Sequence, residues 1–330
     1  MNVLGIESSC DETSASVWNG TSILSNVIAS QAIHEQFGGV VPELASRAHQ
    51  QKIWTTVEQA LLEAKLSVQN IDYIAVTNGP GLMGALLVGL SFAKGLALQT
   101  GKPIIGVNHM DAHIYANFIG ETKPEFPFLA LTVSGGHTQI VLVKNFFEHE
   151  LLGQTRDDAA GEAFDKIGKM LGLTYPAGPQ IDKLAKMGNK KTFKFPQAKL
   201  DGYEFSYSGL KTSVLYRLKK EAEPEVFIAQ NLNDLCASIS DAITEPLVKK
   251  IKKAVLEYDV KTVVLAGGVS ANGMLRSKMK TLAQHLKLNL FVPDMAYCTD
   301  NAAMIAITGA LKAERGMIDT LGLKPFASLS

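Results

Sequence analysis

A chain of 330 residues that is 46% hydrophobic and 19% charged has the apolar content for about two compact domains, and too few charges for a disordered polymer. Its formal net charge is zero, so no global field draws it to nucleic acid or to an anionic membrane. Cys10, Cys236 and Cys298 are odd in number and far apart, which argues against a disulfide framework and fits a reducing cytosol. The first seven residues read as a strand rather than a leader, and no apolar run reads as long enough to span a bilayer.

In chain order, residues 3–6 and 15–18 are predicted as a hairpin around the polar turn Ser8-Ser9-Cys10-Asp11-Glu12-Thr13, with 23–30 as a third strand. Pro42 opens a helix to about Ala64, since proline suits a first helical turn. Residues 73–77 form a strand that runs into Asn78-Gly79-Pro80-Gly81, and then a small-residue helix from Met83 to about Thr100. A strand over 104–107 leads to a helix over 111–118, and the Pro-rich segment 123–127 reads as a linker.

Then the pattern restarts. A strand over 128–133, a tight turn Ser134-Gly135-Gly136-His137-Thr138 and a strand over 139–143 repeat the opening hairpin. A strand over 262–265, the turn Ala266-Gly267-Gly268-Val269 and a following helix repeat the strand, glycine turn and helix of residues 73–100. Helices are expected over 161–171, 180–187, 224–257 and 300–314. The duplication predicts two related α/β lobes facing a cleft: 1–122, 123–295, and a tail 296–330 that returns to the first lobe.

Four features carry chemistry. His109 and His113 sit four residues apart, which stacks both imidazoles on one helix face and suits one zinc or iron ion. The same spacing also suits one surface and one buried histidine with no metal. Met110 stands where a zinc protease of the HExxH type needs its glutamate, which argues against that chemistry. The two glycine turns can present backbone N–H groups to an anion, and they are expected on facing lobes. Neither is followed by a Walker lysine, so a P-loop is excluded. Acidic clusters stand at Asp11-Glu12, at Asp157-Asp158 and at Asp300, which is read as opening the last helix; for Asp157 and Asp300 a capping role competes with a functional one. Residues 183–220 carry ten lysines and arginines against Asp201 and Glu204. Phe193, Phe195, Tyr203, Phe205 and Tyr207 are interleaved with them, so lysines could track RNA phosphates while aromatics stack on bases, unless they fill local core.

These residues together resemble the TsaD family of tRNA threonylcarbamoyladenosine-synthesis proteins, once called O-sialoglycoprotein endopeptidases. The carriers span the chain: Gly5-Ile6-Glu7-Ser8-Ser9-Cys10-Asp11-Glu12-Thr13, Gly38-Gly39-Val40-Val41-Pro42-Glu43, Gly79-Pro80-Gly81-Leu82, His109-Met110-Asp111-Ala112-His113 and Val133-Ser134-Gly135-Gly136-His137-Thr138 in the first half. Asp157-Asp158-Ala159-Ala160-Gly161-Glu162-Ala163-Phe164-Asp165-Lys166, Phe205-Ser206-Tyr207-Ser208-Gly209-Leu210-Lys211-Thr212, Gly267-Gly268-Val269-Ser270-Ala271-Asn272 and Thr299-Asp300-Asn301-Ala302-Ala303-Met304 follow in the second.

The resemblance implies the α/β two-lobed actin-like, sugar-kinase-like ATPase (ASKHA) fold with an interlobe cleft. It implies that His109, His113 and Asp300 hold one metal ion per subunit, usually iron, although zinc would satisfy the same ligands. Thr132, Val133, Ser134, Gly135 and Gly136 would form a substrate site. Asp165, Gly178 and Asn272 would hold an adenylate, with Asp182 a further contact. Asp11, with Glu12 beside it, is the expected acid–base or electrostatic group. Ala177 precedes Gly178 where some members carry a second glycine. The implied reaction moves a threonylcarbamoyl group from threonylcarbamoyl-AMP to N6 of adenosine 37 in tRNAs that read codons beginning with A. Implied partners are tRNA, a TsaB-like paralogous subunit and a TsaE-like ATPase, in the cytoplasm and without a membrane. A stand-alone ATPase or kinase on the same fold is the alternative, but it has no need of paired imidazoles. A metallopeptidase lacks its base here.

Overall fold

The computed structural model describes residues 1–31, 34, 37 and 39–328. Gly38 of the expected glycine motif lies outside them. The chain forms two compact units: Met1–Lys123 with Thr299–Ser330, and Pro124–Cys298.

In the first unit, β1 (Val3–Glu7), β2 (Thr13–Trp18), β3 (Ile23–Ala29), β4 (Tyr73–Gly79) and β5 (Ile104–Asn108) form one sheet in the order β3-β2-β1-β4-β5. The hairpin strands pair antiparallel, while β1, β4 and β5 run parallel. Every residue of β1 and β2 is buried, as strands covered on both faces must be. Leu4, Ile6, Ala15 and Val17 pack into a core with Ile53 and Val57 of α1 (Pro42–Glu63) and Leu90 and Ala93 of α2 (Met83–Thr100). The other face takes α9 (Ala302–Ala313), which runs so close to β1 that a Cβ on Gly5 would lie 2.4 Å from the Ala302 carbonyl oxygen. Only glycine permits that approach. A short helix α3 (His109–Tyr115) follows β5 directly, because Asn108 caps it by accepting from the Met110 and Asp111 N–H groups.

Among the described residues, α2 alone has the length and apolarity to cross a bilayer, which corrects the expectation that no run reaches that size. In this fold it buries Ala85, Leu86, Gly89, Leu90, Ala93 and Ala97 and leaves Leu87 and Leu98 exposed.

The second unit repeats the connectivity. β6 (Phe128–Val133), β7 (Thr138–Asn145), β8 (Glu148–Gln154), β9 (Thr262–Ala266) and β10 (Asn289–Phe291) lie in the order β10-β9-β6-β7-β8. Mapped strand for strand onto the first sheet, the two orders are the same. The sequence pattern did not mark β8 or β10: β8 is half exposed and charged, and β10 has three residues. Around this sheet stand α4 (Ala160–Met170), α5 (Gly178–Ala185), α6 (Ser208–Lys219), α7 (Pro224–Tyr258) and α8 (Gly273–Leu286). Tyr203, Phe205 and Tyr207 lie in this unit's core, exposed by 6%, 2% and 2%. These three cannot stack on bases, which corrects that part of the RNA reading.

Candidate functional site

The first unit gathers an acidic, imidazole-bearing cluster at one end of its sheet. The caps and strand ends of β1, β5 and α9 place it. Glu7 is the last residue of β1 and is fully buried. His109 and His113 lie one turn apart on α3, 7% and 1% exposed, with ring centroids 4.7 Å apart. Asp300 was expected to open the last helix. Instead Asn301 caps α9 by accepting from the Met304 N–H, and Asp300 stands outside the helix. Freed from capping, its Oδ1 lies 3.1 Å from His113 Nε2 and 3.5 Å from His109 Nε2. One ligand atom from each of the three residues lies within 4.8 Å of the others.

The far sides of the rings are fixed differently. His109 Nδ1 lies 3.2 Å from Glu7 Oε2 and 3.1 Å from Ser9 Oγ. Glu7 is held in turn by the Thr77 hydroxyl at 2.6 Å and the Ser9 N–H at 2.5 Å. His113 Nδ1 is buried without a hydrogen-bond partner among the described residues. Burial disfavours the His109 cation, but the Asp300 and Glu7 carboxylates outweigh it and hold the imidazole pKa well above its usual range. Burial pushes the Asp300 and Glu7 carboxyls up, and His109 pulls both back below their ordinary values.

The turn between β1 and β2 completes the cluster. Asp11 and Glu12 are half-buried there, and burial followed by the Asp300 and Asp11 charges pushes the Glu12 carboxyl well above its normal range. The same causes, burial and then Asp11 and Asp300, push the Cys10 thiol up and so disfavour its thiolate. His49 of α1 anchors this turn from beneath: its Nδ1 lies 2.8 Å from the Thr13 hydroxyl and its Nε2 2.9 Å from the Cys10 carbonyl. The cluster thus places the Asp300 carboxylate between two imidazole Nε2 atoms, with Glu7 behind the His109 ring. Two nitrogens and one oxygen form a donor set suited to iron or zinc.

The second unit gathers the glycine turns. Both lie in this unit, which corrects their expected placement on facing lobes. The reason is topological: β9 pairs parallel with β6, so the two strands end at the same edge of one sheet. They differ in freedom. Gly267 has φ +82° and a Cβ there would lie 2.5 Å from the Val133 carbonyl oxygen, whereas a Cβ on Gly135 or Gly136 meets nothing within 4 Å. Gly135 and Gly136 are exposed. The turn is braced from behind, since Ser134 N–H donates to the His137 carbonyl and Gly161 N–H of α4 to the Ser134 carbonyl. Val133 and Thr132 are buried just before the turn, and the Thr132 hydroxyl has no partner among the described residues.

Asp165 accepts from the Ala177 and Gly178 N–H groups at 2.8 and 3.3 Å and so ties α4 to the start of α5. Burial raises its pKa. Asp182 accepts from the Gly273 N–H at 2.8 Å, and Asn272 caps α8 through the Leu275 N–H at 2.9 Å. The structure therefore joins Asp182 with Asn272, and Asp165 with Gly178, each already holding a backbone amide. Asp157 is a cap as well, but of a distant helix: it accepts from the Ser206 and Ser208 hydroxyls and the Tyr207 N–H, pinning the start of α6.

Sequence reasoning missed Glu7, Ser9 and His49. A glutamate closing an otherwise apolar buried strand was the available signal for Glu7. Ser9 and His49 carried none.

The family model described as TsaD, tRNA N6-adenosine threonylcarbamoyltransferase, matches residues 22–307. A protein of that name from Riemerella anatipestifer is 54% identical over 318 residues, covering 95% of this chain and 93% of its own. One from Porphyromonas gingivalis is 51% identical over 334 residues, covering 99% and 98%. Among solved structures, HypF from T. kodakarensis aligns with TM-score 0.65 at 15% identity, covering 95% of this chain and 48% of that one. The activator of the 2-hydroxyisocaproyl-CoA dehydratase from Clostridium difficile aligns with TM-score 0.54 at 14% identity, covering 96% and 97%. At such identities these structures show the fold alone, and it is the expected actin-like, sugar-kinase-like fold.

Proposed function

Because the chain belongs to the tRNA N6-adenosine threonylcarbamoyltransferase family, an acyltransferase family acting on tRNA, we propose that it takes the threonylcarbamoyl group from threonylcarbamoyl-AMP and delivers it to N6 of adenosine 37 in tRNAs that read codons beginning with A. The observation that carries the finer reading is the convergence of His109 Nε2, His113 Nε2 and Asp300 Oδ1. A kinase or ATPase that works through Mg²⁺ has no use for paired imidazoles.

In the transfer, the N6–carbonyl bond forms, the carbonyl–phosphate oxygen bond breaks, and the amine loses a proton. AMP is a good leaving group, so no residue need attack covalently. The requirement is polarisation of the carbonyl, alignment of a weak amine and a proton acceptor. One iron or zinc ion per subunit on His109, His113 and Asp300 would supply Lewis acidity. Glu7 holds the proton on His109 Nδ1, which leaves the Nε2 lone pair for that ion. Asp11 takes the proton from the amine, with Glu12 beside it. In the second unit, the exposed Gly135 and Gly136 N–H groups donate to phosphate oxygens, and Thr132, Val133 and Ser134 set that turn. Asp165, Gly178, Asp182 and Asn272 shape the adenylate site through the loops they fix.

The reading extends to partners. Trp54 and Leu62 of α1 and Leu87 and Leu98 of α2 are 63%, 69%, 47% and 72% exposed, a set of large apolar side chains on two helices that pack together. They support docking of a TsaB-like paralogous subunit, with a TsaE-like ATPase acting on the pair. The tRNA substrate supports a cytoplasmic site of action.

The test is reconstitution with partner subunits, preformed threonylcarbamoyl-AMP and unmodified tRNA, with nucleosides read by mass spectrometry. Threonylcarbamoyladenosine should appear only with the full set. ATP turnover or sugar phosphorylation without any modified nucleoside would favour the ATPase or kinase alternative.

A further inference from the structure

The second unit carries a groove of about 760 Å³ whose lining includes none of the residues given a role in the transfer chemistry above, although it falls within the basic stretch 183–220. Segment 191–195 and α6 form its walls. An adjoining groove of about 610 Å³ shares Phe195 and continues along Lys199, Lys249, Lys250 and Lys253. The band is basic in a chain whose net charge is zero.

Not every cation here is available. Lys190 faces Asp241, Lys211 faces Asp158, and Arg217 faces Glu221. Arg217 is also fixed over the Phe227 and Phe193 rings, at 4.7 and 5.7 Å from their centroids, and so belongs to the rigid floor. Lys191, Lys194 and Lys220 are different. All three are exposed in the first groove, and their ammonium groups have no carboxylate or hydrogen-bond partner among the described residues. Beside them Tyr216 is 61% exposed. It is the aromatic of this region whose ring faces solvent most openly, where Phe205 and Tyr207 are spent on the core.

We propose that this groove binds the sugar–phosphate backbone of the tRNA substrate, with Lys191, Lys194 and Lys220 on phosphates and Tyr216 stacked on an unpaired base. This rests on the tRNA-modifying reading above. A neutral chain that acts on a polyanion must concentrate positive charge locally, and unpaired ammonium groups are the ones that release counterions on binding. A polynucleotide supplies both a row of phosphates and, in every base, a π face for the exposed Tyr216. Lys183, Lys199 and Lys219 of the same stretch also have no carboxylate partner among the described residues, but they do not line this groove beside Tyr216.

The experiment measures tRNA binding across a salt series in the same assembly that performs transfer. It compares the wild type, the triple variant Lys191→Gln/Lys194→Gln/Lys220→Gln, Tyr216→Ala, and Lys190→Gln as a paired-lysine control. Thermal melts verify folding. The triple variant should lose roughly tenfold or more in affinity, and the slope of log K against log salt should fall by about two to three, near 0.7–0.9 per lost phosphate contact. Tyr216→Ala should weaken binding roughly tenfold and leave the slope unchanged, as a stacking contact does. Lys190→Gln should change neither. If the triple variant keeps both slope and affinity while wild type binds and modifies tRNA, the groove assignment is wrong and the functional reading survives. If wild type neither binds nor modifies tRNA, both fall. Wild-type preference for a polyglutamate peptide over tRNA, lost in the triple variant, would reassign the groove to an acidic protein.

Discussion

The two sheets share one connectivity, and each carries a turn between its first antiparallel pair. In the first unit that turn is Ser8 to Glu12, laden with carboxylates and anchored by buried Glu7 and His49. In the second it is Ser134 to His137, uncharged at its tip and open around Gly135 and Gly136. The same backbone position therefore serves opposite charges: one turn gathers groups that attract a cation, the other bares N–H groups that attract an anion. Topology decides where a turn sits, and side chains decide what it can hold.

That contrast fails first if the cation side holds nothing. His109→Ala/His113→Ala should empty the site by elemental analysis and cut transfer by roughly 10³-fold or more, as expected for loss of a Lewis acid worth several kcal/mol. The fold should persist, because the pair is a local feature of the seven-residue α3. Full metal occupancy in this variant would end the assignment. Next in size is Asp11→Asn, which keeps shape and removes basicity. Single-turnover transfer with saturating adenylate should fall about 10²-fold while adenylate and metal affinities hold. A near-wild-type rate removes Asp11 from the chemistry. Lost affinity with an intact rate makes it a binding residue.

Much of this was legible in the sequence, for physical reasons that also mark where legibility ended. Hydrophobic periodicity and glycine punctuation exposed the duplicated strands and both hairpin turns, because a buried strand cannot hide its apolar run. The His109–His113 spacing is local, so it could be read directly. Asp300 approaches from 187 residues away in sequence, and the chain resemblance rather than any spacing pointed to it. The expected lobe 123–295 already held both glycine turns; that they stand at one sheet edge follows from the pairing of β6 with β9, a long-range choice that local pattern does not encode. The sheet-edge strand β8 alternates too weakly to be seen.

Two smaller effects sharpen the comparison. Glu7→Gln keeps the volume but replaces the carboxylate against which His109 Nδ1 rests, so metal affinity measured by chelator competition should weaken roughly 10–100-fold with little change in melting temperature. Unchanged affinity would make Glu7 a packing residue only. On the anion side, Gly135→Val enters open space, so it should leave stability alone and weaken adenylate binding by roughly tenfold in calorimetry. Gly267→Val forces a side chain against the Val133 carbonyl at positive φ, so it should lower the melting temperature instead. Equal adenylate affinity in Gly135→Val would show that turn to be structural alone.

The smallest effect concerns how the acidic turn is anchored. Burial lowers the His49 pKa from its ordinary 6.5, against the opposing pull of the Cys10 carbonyl and the Glu7 and Asp11 charges. The geometry agrees: Nδ1 receives the Thr13 hydroxyl and Nε2 donates to the Cys10 carbonyl, so a second ring proton would displace the threonine. Above 6.5 both folded and unfolded chains carry neutral His49 and its anchoring is fully present. As pH falls below 6.5 the unfolded chain takes up a proton that the folded chain resists. Stability is then lost, with a slope that approaches about 1.4 kcal/mol per pH unit until the lowered folded-state pKa is reached. His109 works in the opposite direction over the same range, since its folded-state pKa is raised. The informative quantity is therefore the difference between wild type and His49→Gln, whose amide can still donate to Cys10 but does not titrate. Denaturant unfolding at pH 7.5 and at pH 5.5 should show the wild type losing more stability than the variant between the two conditions. Parallel losses in the two proteins would mean that His49 titrates alike in both states and that burial does not govern the anchor.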